Sequence, residues 1–269
     1  MAEAVRVALT LPSFRDDPET ALGVALAADV VELDAVFAYE HLFRVALDGS
    51  RRPAHDVWAL LGAVAAETRH VRVGTLVARV TLRPPAVLAH AFETVQRVSA
   101  GRLVAALGAG DSESRPENEE FGLAFGTLDQ RIDALGAALD RLAGATFPVW
   151  IGGTHPRVLA LAGRATGWNR WGGSADRFAA AAAVVRAANP TATLTWGGLT
   201  VLGASDDAAR TKAHRLTAGP GTLVGAPATV AAHLARYVEA GAQWIVLGPV
   251  DSSDPRNAEL AADVRACLS

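Results

Sequence analysis

Two apolar rhythms take turns along the whole chain. Short apolar runs predict eight strands: Val5–Leu11 (VRVALTL), Ala35–Tyr39 (AVFAY), His70–Ala78 (HVRVGTLVA), Arg102–Leu107 (RLVAAL), Pro148–Ile151 (PVWI), Trp168–Trp171, Thr193–Leu202 and Gln243–Leu247 (QWIVL). Between them lie stretches of helical period. These predict helices over Asp17–Asp29 with Asp16 or Asp17 as cap, Ala54–Thr68, Pro84–Ser99 behind a proline pair, and Thr127–Leu142. Further helices are expected over His155–Arg164, Ala175–Ala188, Ser205–Leu216, Ala228–Ala240 and Pro255–Cys267. The remaining segments read as loops: one after the second strand carrying Glu40, His41 and Arg44, an acidic glycine-rich one at Gly108–Gly126, and a Gly/Pro one at Gly219–Pro227.

Strict alternation of strand and helix implies a parallel sheet, and eight such units in this length fit a (β/α)8 TIM barrel. A doubly wound open sheet is the competing architecture. With no linker, low-complexity tract or longer repeat, residues 1–269 are expected to form a single domain.

Composition narrows the function classes. The 25 Lys+Arg against 28 Asp+Glu give a formal net charge of -3 with no basic block, which argues against nucleic acid as a partner. No apolar run approaches membrane-spanning length and no basic-then-apolar leader opens the chain, so the expectation is a cytoplasmic protein without membrane contact. Cys267 is the single cysteine, so an internal disulfide or cysteine zinc site is excluded. Lys212 is the single lysine and sits in a charged helical stretch with Arg210 and Arg215, where a solvated surface role is expected; lysine-based Schiff-base chemistry and a Walker A loop fall away. No HxH on the first strand and no GxSxG elbow occur, which removes the metal-dependent amidohydrolase and serine-hydrolase readings. A barrel without nucleophile or metal cluster points to a bound cofactor as the reactive group.

In such a barrel ligands sit where strands end. After the fifth strand, Gly152, Gly153 and Thr154 lead into a helix near Pro156, the arrangement that exposes backbone N–H groups to a phosphate; an ordinary sharp turn is the alternative. Glu40 and His41 follow the second strand, and His41 has the titration range for proton transfer. Thr75, Leu76 and Val77 could press on a flat ring or simply pack the barrel. Gly110 and Asp111 close the fourth strand without the third glycine of a dinucleotide fingerprint. Trp168 and Asn169 mix aromatic and polar character on the sixth strand.

Taken in order, EHLF, GTLVARVTLRPPAVLAHAFETVQRVSAGRL, GAGDSE with EEFG and LDQRIDAL, PVWIGGTHPRVLALAGRATGWNRWG and VGAPATVAAHLARYVEAGAQWIVL resemble the luciferase-like monooxygenase superfamily. The resemblance implies a (β/α)8 barrel using coenzyme F420, or alternatively FMN, for hydride transfer to or from a small organic substrate. An FMN monooxygenase using O2 and a non-catalytic flavin- or F420-binding barrel are its alternatives; a cofactor-independent hydrolase or isomerase lies outside it. It implies His41 as substrate base, with Glu40 and Asp111 as acids beside it. It also implies a non-proline cis peptide at Leu76–Val77 behind the ring, a cofactor loop at Gly110–Asp111, a phosphate turn at Gly152–Thr154, and a homodimer. The chain departs from the common pattern in having Glu40 before His41, Thr166 in an Ala165–Gly167 triplet, and a shortened insertion, Leu142–Thr146, between the fourth helix and fifth strand. That shortening implies a pocket that is open or completed by another subunit.

Overall fold

The computed structural model describes residues 4–15, 17–45 and 49–268. Its elements run β1 (Arg6–Thr10), α1 (Glu19–Val30), β2 (Ala35–Ala38), β3 (Phe43–Val45), β4 (Arg51–Pro53), α2 (Val57–Glu67), β5 (Arg72–Arg79), α3 (Pro85–Val98) and β6 (Leu103–Gly108). A 3-10 turn at Ser112–Ser114 leads into α4 (Arg115–Glu120), followed by α5 (Leu128–Arg141), β7 (Val149–Gly152), α6 (Pro156–Ala162), β8 (Gly167–Trp171) and α7 (Ala175–Ala188). The chain finishes with β9 (Thr193–Leu202), α8 (Asp206–Arg215), β10 (Leu223–Gly225), α9 (Pro227–Glu239), β11 (Trp244–Pro249) and α10 (Arg256–Leu268).

Strands pair in the order β10-β9-β11-β1-β2-β5-β6-β7-β8, and β8 also pairs with β9. That last ladder, Gly167↔Thr193 through Trp171↔Gly197, closes eight parallel strands into a barrel and disposes of the open-sheet alternative. Short β10 is an outer addition to the end of β9. Among the described residues no helix is long and apolar enough to cross a membrane.

Three expected loops hold structure that the apolar pattern did not show. The segment after β2 carries the antiparallel hairpin β3–β4, paired Phe43↔Pro53 to Val45↔Arg51. The acidic stretch folds into the 3-10 turn and α4, and the Gly/Pro stretch contributes β10. Each piece is too short to show a period. Asp16 lies outside the described residues; helix α1 starts at Glu19, and Asp17 accepts the Thr20 N–H at 3.2 Å. Elsewhere the helix starts follow capping chemistry: Asp56 accepts from the N–H groups of Trp58 and Ala59, and Thr127 with Gln130 forms a reciprocal capping box.

Two apolar layers hold the barrel. The outer one lies between sheet and helices; α3 shows why, since its buried Leu88, Ala89, Phe92 and Val95 recur at helical spacing. The inner one contains Ala8, Phe37, Val104, Trp150, Trp244 and Val246. Trp150 meets Phe37 at 5.5 Å and Trp244 at 5.3 Å between ring centroids. Glycines make room for these rings: a Cβ on Gly74 would sit 2.9 Å from Phe37, and one on Gly167 would sit 2.5 Å from Trp150. Trp150→Ala should therefore destabilise by about 3–5 kcal/mol, read from the midpoint of urea unfolding.

Candidate functional site

His41 follows β2 at the C-terminal mouth of the barrel. Its Nδ1 lies 2.7 Å from Glu117 Oε1, on α4. The other Glu117 oxygen accepts the Leu42 N–H at 2.8 Å and Arg79 Nη1 at 2.8 Å. Arg79, at the end of β5, is 2% exposed, and its Nη2 also reaches Asn118. Burial alone would raise the Glu117 carboxyl, but the His41 hydrogen bond and charge, the Leu42 N–H and Arg79 outweigh it and hold it below the usual carboxylate range. An ionised carboxylate only accepts hydrogen bonds, so a hydrogen sits on His41 Nδ1, and Nε2 is the ring nitrogen left to exchange a proton.

Glu40 occupies a different compartment. It is 3% exposed, and its carboxylate takes the Trp58 Nε1–H at 2.9 Å, the Arg79 N–H at 2.7 Å and Arg83. Burial pushes its carboxyl up against those lowering partners. Adjacent residues on an extended segment point opposite ways, so His41 faces the mouth and Glu40 the layer beneath α2. Asp111 is a turn residue: its carboxylate accepts the Ser114 N–H and hydroxyl, both at 3.0 Å, and starts the 3-10 turn. The residue that the sequence reading passed over is Glu117. It sits four positions before the Phe121–Gly122 pair in an acidic run, and nothing in the run marks one glutamate as buried.

The residues expected to hold a cofactor separate into two groups. Val77, Gly110, Gly152, Gly153 and Thr154 line up on adjacent strand ends β5, β6 and β7. Leu76–Val77 is a cis peptide bond at an irregularity in the β5–β6 register. The Val77 side chain lies where Cβ atoms on Gly108 and Gly152 would stand, 2.4 and 2.7 Å away, so those glycines clear the space this valine occupies. Gly153 has φ +129, gives its N–H to Asn169 O at 3.2 Å and takes the Trp168 Nε1–H at 2.8 Å. The cap of α6 is His155 rather than Thr154. Among the described residues, the N–H groups of Thr154 and His155 have no internal partner.

The second group is enclosed. Thr75 is 0% exposed and bonds Ala106 O at 2.7 Å; Trp168 is 0% exposed and stacks on Phe178 of α7 at 5.5 Å. Neither can touch a ligand at the mouth: Trp168 points outward from β8 and braces the Gly153 turn from behind. Leu76 belongs to the inner apolar cluster, and buried Asn169 spends its amide on Thr195 at 2.7 Å. Lys212, expected at the solvated surface, is instead largely buried, pairing with Asp251 and donating to Leu202 O at 3.1 Å.

Inward-facing Trp171, two residues beyond Asn169 on β8, completes the mouth. Concavities of about 470 and 520 Å³ lie elsewhere, at Arg6–Asp34–Arg265 and between Val80–Pro84 and Leu123–Arg131. Groups able to do chemistry thus surround the mouth.

The sequence profile of the luciferase-like monooxygenase family matches residues 3–145, more than half of the chain. The chain belongs to that family. An F420-dependent glucose-6-phosphate dehydrogenase of Nakamurella multipartita is 31% identical over 175 residues, covering 55% of this chain and 50% of the relative. Its counterpart in Amycolatopsis mediterranei is 36% identical over 98 residues, covering 35% and 28%. This chain thus matches about half the length, or less, of these curated relatives. Among solved structures, an F420-dependent secondary alcohol dehydrogenase with an F420–acetone adduct superposes with TM-score 0.79 at 16% identity, covering 97% and 99% of the two chains. The EDTA monooxygenase of Chelativorans sp. BNC1 superposes with TM-score 0.81 at 13% identity, covering 98% and 94%. At such identities these structures establish the shared fold of this luciferase-like chain and no more.

Proposed function

We propose that this luciferase-like protein is an oxidoreductase that uses coenzyme F420, with His41 as the substrate's proton acceptor. The observation carrying the proposal is the His41–Glu117–Arg79 array at the mouth, beside strand ends fitted to a flat, phosphorylated ligand. The fit rests on the apolar Val77 side chain set over the cleared positions of Gly108 and Gly152, and on the unspent Thr154 and His155 N–H groups one strand end away. The F420 dependence named for the curated relatives favours the deazaflavin over FMN.

When bound, the deazaflavin would supply a two-electron hydride acceptor or donor. The chain's own groups do the rest. Val77 would back the ring, while Thr154 and His155 would anchor the phosphate with oriented N–H donors, the hydroxyl of Thr154 adding a third. His41 Nε2 would take the hydroxyl proton of an alcohol substrate, and the ionised Glu117 beneath it would stabilise the resulting imidazolium. Arg79 keeps Glu117 charged and still. Glu40 acts one layer down, tying the Arg79 backbone and Arg83 together. An FMN monooxygenase is the second reading, motivated by the fold shared with the EDTA monooxygenase.

Titration of the purified protein with F420 and with FMN, each followed by fluorescence, separates the two. Micromolar or tighter F420 binding with weak FMN binding supports the proposal; the reverse order, or no binding of either, defeats it. Thr154→Ala should weaken F420 by about fivefold, the loss of one hydrogen bond worth about 1 kcal/mol, with an unchanged melting temperature. A second copy covering the mouth belongs to the same proposal, and light scattering would show the dimer.

A further inference from the structure

We infer that the substrate is an uncharged alcohol or ketone with a compact alicyclic or aromatic body, seated on the Trp171 indole with its oxygen at His41, and not a sugar phosphate. This rests on the deazaflavin reading above and specifies the substrate of the same site.

Trp171 is 39% exposed, although it stands on the inward face of β8. Its indole extends sideways over β9 and β11, because both strands carry glycine beneath it. A Cβ on Gly197 would lie 2.7 Å from the ring, and one on Gly248 would lie 2.8 Å from it. The far side of the indole meets Tyr39 edge-on at 5.9 Å. Tyr39 in turn stacks with Phe14 at 6.4 Å, and Phe14 lies 5.3 Å from the His41 ring. Leu199, 43% exposed, continues the inward face of β9 above Gly197. An apolar wall therefore runs from β8 across the mouth to the proton acceptor, opposite the Val77 side.

Most polar groups along this wall are already committed. Burial pushes the Tyr39 phenol up to about 12. Asn169 holds Thr195, and Ser13 bonds Leu11 O while accepting the Tyr39 N–H. A polyhydroxylated substrate would bury hydroxyl groups here without partners, which costs affinity. Most cations of the strand-end loops are paired with carboxylates: Arg79 with Glu117, Arg83 with Glu40 and Asp56, and Lys212 with Asp251, while Arg15 donates to the Ser253 hydroxyl. Arg44 lies over the Phe14 ring at 5.4 Å, with Arg52 opposite it on the β3–β4 hairpin at the outer rim. Arg170 turns to the helix side, bonding Gly172 O beside Tyr237. Among these, a phosphate dianion would thus find adjacent cations without carboxylate partners only at the outer rim, beside Phe14.

The experiment measures F420 affinity first, then turnover of cyclohexanol, benzyl alcohol, a carboxylate-bearing benzyl alcohol and glucose 6-phosphate. Calorimetric binding of cyclohexanone to the cofactor-free protein is measured in parallel, for the parent chain, Trp171→Ala and Trp171→Phe. The neutral alcohols should exceed glucose 6-phosphate in kcat/KM by about 100-fold or more, the scale set by unpaired buried polar groups. Trp171→Ala should raise their KM about tenfold with kcat and F420 affinity little changed, the scale of lost apolar pocket contacts. Trp171→Phe should recover most of that loss, and cyclohexanone heat should fall in parallel. Preference for the sugar phosphate, preference for the carboxylate analogue with its loss in Arg44→Ala, or unchanged cyclohexanone affinity in Trp171→Ala each overturns the inference. If F420 fails to bind, the deazaflavin reading falls by itself, and cyclohexanone calorimetry still decides whether Trp171 forms the wall.

Discussion

F420-loaded His41→Ala protein is expected to turn over roughly 10²- to 10⁴-fold more slowly than the parent, the range for removing a positioned acid–base group. F420 affinity should stay within about twofold, because the hydrogen bond from His41 goes to Glu117 and not to the Val77 or Thr154 side of the mouth. Stability should change little for the ring itself, which is 24% exposed. The Leu42 N–H and Arg79 remain on Glu117, so its carboxylate keeps two of its three partners. Comparison of kcat with cofactor dissociation, measured by deazaflavin fluorescence, checks both parts. Undiminished kcat would remove His41 from the chemistry.

The second large effect belongs to Glu117. Glu117→Gln removes the negative charge facing Arg79, a guanidinium only 2% exposed, and breaking a buried pair from one side costs about 3–5 kcal/mol. The amide keeps the shape but turns one of the two oxygens into a donor, which then faces either His41 or the Leu42 and Arg79 donors. His41 is then released from its Nδ1–H tautomer, so kcat should fall by roughly 10- to 100-fold while the mouth keeps its F420 affinity. Urea unfolding and single-turnover reduction measure the two parts separately. The pH dependence has a definite sign. Glu117 is held below its ordinary carboxylate pKa of about 4.3, so its contribution is complete above that value and is lost as pH falls through the lower folded one. The parent protein should lose stability on that acid limb, and Glu117→Gln should lose less. Parallel acid limbs in both proteins would mean that the Arg79–Glu117 pair contributes nothing to folding.

Side-chain periodicity made the barrel legible. Val, Ala and Leu in runs of four to ten residues alternate with amphipathic helices such as α3 and α5, and that order leaves few ways to bury both faces of every strand. His41 was legible too, because a histidine just past a strand end sits at the mouth of any such barrel. Its partner was not. Glu117 lies 76 positions away, in a run of acidic residues on a helix of six residues, where no period separates a buried carboxylate from a solvated one. The same limit explains Trp168 and Trp171. Both were visible as aromatic residues on one short strand, yet alternation sends the first outward onto Phe178 and the second inward over Gly197 and Gly248.

The linear order of residues thus specified the architecture and the ring of strand ends on which a ligand must sit, since both follow from local periodicity and from where strands stop. Tertiary contacts assigned the remaining roles. Packing of α2 and α4 against the ends of β2 and β5 set Glu40 beneath the mouth and Glu117 behind His41, and closure of the β8–β9 ladder laid the Trp171 indole across two strands that lack side chains there. Which of several like residues becomes buried, paired or ligand-facing depends on contacts between segments far apart in the chain, and those contacts exist only once the barrel has closed.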